Sequence, residues 1–343
     1  MAGEFPGGLI SSLLTARGIE AYIAQVDKII DDLVSPKDPS QQAYHVVAPS
    51  LPGFVFSSGP KHADFGIRNM AAVDHKLMLA LGYDKYMAQG GDWGSMIVRI
   101  LGIDYPDHCV AVHVNMIAAG VPSIWRNPLS LLYLPIWAMM QGEGSLFKRM
   151  LWWQKEETGY LEIQGTKPQT LSYALVDSPI GMLAWIRDKV QHLIDDDYVM
   201  GEEEIITWAM LYLIPGTAGH AEIYKNAKDP EKLDRFKKEF TDKVMGKDVD
   251  FGASIFPKGM SQCDQSKNER GRGLTVTDVF SLPRWWANAS VSSNIVFWKE
   301  HEKGGHFASV EKPVELVEDI REFTKLINPG RIVGLVKSGK LKK

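Results

Sequence analysis

Apolar positions recur along the first third of the chain at two alternating spacings. Tyr44 to Ala48 is a short run of β-type residues, closed by the turn-rich Pro49-Ser50-Leu51-Pro52-Gly53. Met70, Val73, Leu77 and Leu81 stand at helical spacing, so a helix is expected from Ile67 to Leu81, with Gly82 as its stop. Tyr86 to Gln89 predicts a strand, Met96 to Gly102 a helix, and Cys109 to Val114 the next strand. Strand, tight turn, helix and strand in that order are the pattern of a parallel α/β sheet.

From about residue 118 the alternation stops, and a stretch rich in Trp, Tyr, Leu and Met reads as mostly helical. Alternation returns with Ala253 to Phe256 and a strand over Asn294 to Trp298. A helix from Pro313 to Ile327 follows, with Val317, Ile320 and Phe323 on one face. The expected organisation is an α/β core over residues 1–117, an inserted helical lid over 118–245, and the rest of the core over 246–343. Residues 259–277 are polar, glycine-containing and aperiodic, as in a flexible excursion.

Composition narrows the function classes. A net charge of -4 over 343 residues offers no broad cationic surface for nucleic acid. Two cysteines, Cys109 and Cys263, make neither a metal cluster nor a disulfide framework, so a reducing, cytoplasmic setting is expected. The start of the chain shows no basic region followed by an apolar run, as a signal peptide would. Leu129 to Met140 is apolar but shorter than the ~20 residues that span a bilayer, and reads as a buried or pocket-lining helix. The basic tail, Lys337 to Lys343, leaves peripheral contact with a membrane surface open.

Gly90-Gly91-Asp92-Trp93-Gly94 has the spacing of a nucleophile elbow between a strand and a helix. Small residues two positions either side of the centre let the backbone pass close to itself, and the helix N-terminus favours an anion. The central residue is Asp92, and a carboxylate nucleophile forms an ester that a second step must hydrolyse. The bland alternative is an aspartate that only caps the helix. His306, in Lys303-Gly304-Gly305-His306-Phe307, lies after the last strand, where a base would complete the chain order nucleophile, acid, histidine. His301 competes for that role, closer to the strand and without flanking glycines. The acid orienting the imidazole is expected at Asp278, with Asp264 as the alternative.

With these residues in view, the sequence resembles the microsomal and fungal type of epoxide hydrolase, of the α/β-hydrolase fold, from about Val26 to Leu326. The resemblance rests on Val47 to Phe54, Gly90 to Ser95, Gly159 to Leu171 with Asp177-Ser178-Pro179 and Leu183 to Ile186, and Lys303 to Ala308. It implies that Asp92 attacks an epoxide carbon while Tyr160 and Tyr224 donate to the ring oxygen. It also implies that His306, held by Asp278, activates water against the ester, and that the Trp93 N–H contributes to the oxyanion hole. Neither cofactor nor metal is implied; the reactants are a small apolar or aromatic epoxide and water, and a homodimer is left open. Read without the resemblance, Tyr160 and Tyr224 are ordinary amphipathic core residues.

The sequence departs from that pattern at three places. Of the expected His-Gly-Trp/Phe-Pro only Phe5-Pro6-Gly7 remains, so the first strands of the sheet look absent, and Leu9 to Gln25 reads as an added stretch. Val55 occupies a position where glycine is usual, and would be strained if that position needs a positive φ. Residues 259–277 separate Phe256-Pro257-Lys258 from Asp278. Two other functions stay open on these grounds: a catalytically idle relative that binds an apolar ligand or a partner, and haloalkane dehalogenation, which also uses an aspartate nucleophile.

Overall fold

The computed structural model describes residues 9–12, 22–62, 64–120, 122, 127–129, 132–133, 135–136, 153–216, 218–229, 243–257 and 282–331. Before the helical segment come β1 (Leu9–Ser12), α1 (Tyr22–Val34), β2 (Tyr44–His45), α2 (Ile67–Ala80), β3 (Tyr86–Gly90), α3 (Trp93–Asp104) and β4 (Cys109–Val114). A π turn, Trp153–Glu157, precedes α4 (Gly159–Thr166), α5 (Pro168–Val176), α6 (Pro179–Leu193), α7 (Glu202–Leu213) and α8 (Ala218–Lys228). The chain then returns to β5 (Asp250–Ile255), α9 (Arg284–Ser290), β6 (Ile295–Glu300), α10 (Ala308–Glu311) and α11 (Pro313–Leu326).

The described strands form one sheet in the order β2-β1-β3-β4-β5-β6, every pairing parallel. The three strands at its centre, β3, β4 and β5, are buried along their whole length, as a sheet covered on both faces requires. Alternation along β3 separates the two cores. Tyr86 and Ala88 face the cluster containing α2 and α3, while Met87 faces Ile29 and Leu33 of α1 and Ile320 and Phe323 of α11.

Two sequence expectations change. Leu9–Ser12 is a strand rather than part of an added stretch: it pairs Leu9 with Tyr44 on one side and Ser11 with Met87 on the other, joining β2 to the sheet. The buried face of α2 is not the Val73/Leu81 stripe, which is exposed. It is Ile67, Met70, Ala71, Asp74, His75 and Met78, and it admits polar residues because His75 Nδ1 shares a hydrogen bond of 2.8 Å with the Tyr86 hydroxyl.

The helical segment packs Met182, Ile186 and Val190 of α6 with Trp208 and Tyr212 of α7 into the same core cluster as α2 and α3. Ser178 caps α6 by accepting the Gly181 N–H at 3.0 Å, and Pro179 starts the helix. Where the chain passes from the sheet to the helical segment and back, both crossings are tied to one buried side chain. Arg99 of α3 donates to the carbonyls of Ala118 at 3.0 Å and Lys243 at 2.7 Å, and to Ser290 of α9 at 2.7 Å. Among the described residues, no helix is long and apolar enough to cross a membrane.

Candidate active site

The turn between β3 and α3 presents Asp92. Its backbone lies at φ 49°, ψ -129°, a region that L-residues rarely occupy and that strained functional turns do. The bend is possible because its flanks are glycines: a β-carbon on Gly90 would stand 2.9 Å from the Ser95 nitrogen and press into the Gly94 backbone. The Ser95 hydroxyl donates to the Asp92 carbonyl at 2.6 Å and locks the turn from the helix side. Trp93 opens α3, so its N–H has no partner within the helix and lies next to the carboxylate's own residue.

His306 comes from the loop between β6 and α10. Its Nε2 lies 3.8 Å from Asp92 Oδ2, with the imidazole buried and the carboxylate partly open. Gly304, at φ 112°, and Gly305 make this approach possible, since a β-carbon on Gly305 would fall 2.6 Å from the Leu193 carbonyl oxygen and 2.8 Å from the Asp195 nitrogen. The competitor His301 is engaged elsewhere: its Nε2 lies 2.6 Å from the buried Asp319 and its ring stacks on Phe256 at 4.4 Å. Asp278 and Asp264, the two candidate acids, lie outside the described residues, as do residues 259–277 and Phe5-Pro6-Gly7.

Tyr160 on α4 and Tyr224 on α8 are brought to the same place. Their rings meet edge to face with centroids 6.1 Å apart, and Tyr224 meets Trp93 edge to face at 5.4 Å. α4 and α8 pack closely because Gly165 has no side chain; a β-carbon there would reach the Lys228 side chain and stand 3.4 Å from the Tyr224 carbonyl. Burial pushes the Tyr224 phenol well above its usual pKa, and the neighbouring Tyr160 and Asp92 add to the shift, while a hydrogen bond with the Trp93 side chain opposes it. The phenol is therefore held protonated, as a donor.

One turn away from each tyrosine lies a second pair that the sequence reading did not single out. His220 Nε2 and Gln164 Oε1 are 2.8 Å apart, and Gln164 Nε2 donates to the Tyr160 carbonyl at 3.2 Å. The signal was present as spacing, since Gln164 is four residues after Tyr160 and His220 four before Tyr224. His220 also meets Phe54 at 5.6 Å, beside Gly53 at φ 87°, whose backbone touches that of Gly219. Val55 in the same loop has φ 51°, the positive φ that the sequence comparison made a source of strain for valine.

Residues 23–133 match the family model described as alpha/beta hydrolase fold. A Stigmatella aurantiaca protein provisionally named an epoxide hydrolase is 28% identical over 319 residues, covering 90% of this chain and 63% of its own length. Epoxide hydrolase 1 of Sus scrofa is 27% identical over 348 residues, covering 94% of this chain and 70% of its own. The chain thus spans about two thirds of the length of these relatives. The solved epoxide hydrolase of Aspergillus niger superposes with a TM-score of 0.73 at 28% identity, over 95% of this chain and 74% of that one.

Proposed function

We propose, from the premise that this chain has the α/β-hydrolase fold and is a relative of the epoxide hydrolases, that it hydrolyses an epoxide to a vicinal diol through an ester on Asp92. The observation that carries the proposal is the meeting of four side chains from different elements: Asp92 on its strained turn, His306 3.8 Å away, and the edge-to-face pair Tyr160 and Tyr224.

The first step is displacement. The Asp92 carboxylate attacks one ring carbon, that carbon's bond to the ring oxygen breaks, and the oxygen takes a proton from Tyr160 or Tyr224. A phenol kept protonated by burial suits this role, because it offers its proton only as the alkoxide develops. In the second step His306 takes a proton from water, the resulting hydroxide adds to the ester carbonyl, and the N–H of Trp93 donates to the oxyanion. Collapse of that intermediate expels the second diol oxygen as an alkoxide, which takes the proton of the new Asp92 carboxyl group, so the diol leaves and the carboxylate is restored. The proton held by His306 returns to the tyrosinate left by the first step, so the cycle balances as epoxide plus water to diol, with no redox change. Asp278 would orient the imidazole and stabilise it when protonated.

The tyrosine pair distinguishes this reading from haloalkane dehalogenation, in which the leaving halide needs no proton. The aromatic and apolar surroundings, with Trp93, Phe54 and Trp208 near the same cluster, favour an apolar or aryl epoxide. Residues 118–245 would act as a lid that carries the two phenols. A single turnover of styrene oxide in 18O-labelled water tests the ester: label should enter the Asp92 carboxylate first, and label going directly into the first diol would contradict it.

A further inference from the structure

The peptide groups around His306 are bonded to the end of α6 and to α10 rather than to the sheet. The His306 N–H donates to the Leu193 carbonyl at 2.9 Å, at the end of α6. The next N–H, of Phe307, donates to Glu311 Oε1 at 2.8 Å, and the other oxygen of that carboxylate accepts the Asp195 N–H at 2.6 Å. Asp195 reciprocates: its Oδ2 accepts the Gly304 N–H and its Oδ1 the Asp197 N–H at 3.0 Å. Gly305 lies inside this clasp, 2.6 Å being the distance from a β-carbon there to Glu311 Oε2. Beyond it the Phe307 ring packs edge to face on the fully buried Trp208 at 5.5 Å.

Both carboxylates are buried, which is expensive for a charge unless its oxygens are used. The hydrogen bonds above tie them to backbone N–H groups of two segments, 193–197 and 304–307, that belong to different parts of the chain. A group that only filled space could be apolar; one that fixes the distance between two backbones must accept hydrogen bonds from both.

We propose that Glu311 and Asp195 are positioning residues that hold His306 for the hydrolysis of the ester by clasping its loop to the end of α6. The proposal deepens the reading under Proposed function and rests on it for its catalytic part. In the displacement step the imidazole takes no proton, so a small shift of its loop costs little. In the second step it must aim at a water beside the ester, and an error of about 1 Å costs as much as about a hundredfold. The clasp therefore acts on one step and spares the other.

Glu311→Gln and Asp195→Asn each replace one accepting oxygen by an amide nitrogen that cannot accept, with the shape kept. Stopped-flow and intact-mass measurements on styrene oxide should show ester formation within about twofold of the parent and ester decay slower by about tenfold or more, so that the ester accumulates. Equal losses in both steps, or unchanged decay, would overturn the proposal. Amide hydrogen exchange reads the clasp without turnover. Exchange of the His306 and Phe307 amides should quicken at least about tenfold in Glu311→Gln while β4 stays protected. Unchanged exchange at those two amides would overturn it as well. A parent chain that forms no ester at all would instead refute the epoxide reading, and the exchange result would then decide the clasp. Gly305→Ala, which pushes a methyl into the same gap, should reproduce both effects, and failure to do so counts against the clasp.

Discussion

The Tyr160 and Tyr224 rings meet at 75° with centroids 6.1 Å apart, while Lys189 Nζ stands 5.4 Å over the Tyr160 face. Two phenols placed this close can share the ring oxygen of one epoxide, so neither is expected to be indispensable alone. Tyr160→Phe and Tyr224→Phe should each slow ester formation by about ten- to a hundredfold, and the double variant by more than a thousandfold. Ester decay should change little in either single variant. Pre-steady-state rates on styrene oxide would check this, and a double variant as fast as the singles would contradict it.

Arg99 is buried and donates to the carbonyls of Ala118, Lys243 and Ser290, so one side chain serves both crossings between sheet and helical segment. Burial lowers its pKa to about 9, a sign of how far it sits from water. Arg99→Met keeps the aliphatic stem but leaves three carbonyls, that of Ser290 buried, short of a donor, and should cost about 2–4 kcal/mol of stability. Urea unfolding would measure it. A loss below about 1 kcal/mol would mean that the carbonyls find other donors.

The acid side of the stability curve has a defined origin. Burial depresses the His220 pKa from 6.5 to about 3 and the His113 pKa from 6.5 to about 4, so both are neutral in the native state. Below about pH 6.5 the unfolded chain binds these protons and the native chain does not, so stability is full above that pH and falls on acidification. The fall continues to about pH 4 for His113 and about pH 3 for His220. Asp74 opposes them: burial raises its pKa from 3.8 to about 8, and its contribution is lost as pH rises through that range. A comparison with the parent removes this opposing effect. Between pH 6 and 4, His220→Gln should gain relative to the parent by about 1.4 kcal/mol per pH unit at most. Parallel unfolding curves for the two chains at pH 7, 6 and 5 would contradict it.

How much of this was legible depends on whether the informative partners were near in sequence. The elbow was readable because Gly90, Asp92 and Gly94 are local, and their spacing states the close approach that the fold contains. Cys109–Val114 was found at its observed limits because it is buried on both faces and apolar at every position but His113. The strain at Val55 was visible as a missing glycine. Misreadings arose where tertiary context overrode the local pattern. The apolar Val73 and Leu81 are exposed while Asp74 and His75 are inside, because the Tyr86 hydroxyl, on a strand, gives His75 a partner. The strand at Leu9–Ser12 has only four residues and depends on β2 and β3 for its hydrogen bonds. Glu311 and Asp195 carry no local signal, because their meeting depends on the fold of the whole chain.

The most direct test of the central claim is diol formation from styrene oxide by the purified chain, run beside Asp92→Asn. The account predicts turnover in the parent and a loss of at least about a thousandfold in the variant, with both chains melting cooperatively. No diol from a cooperatively melting parent, or equal diol from both chains, would contradict it.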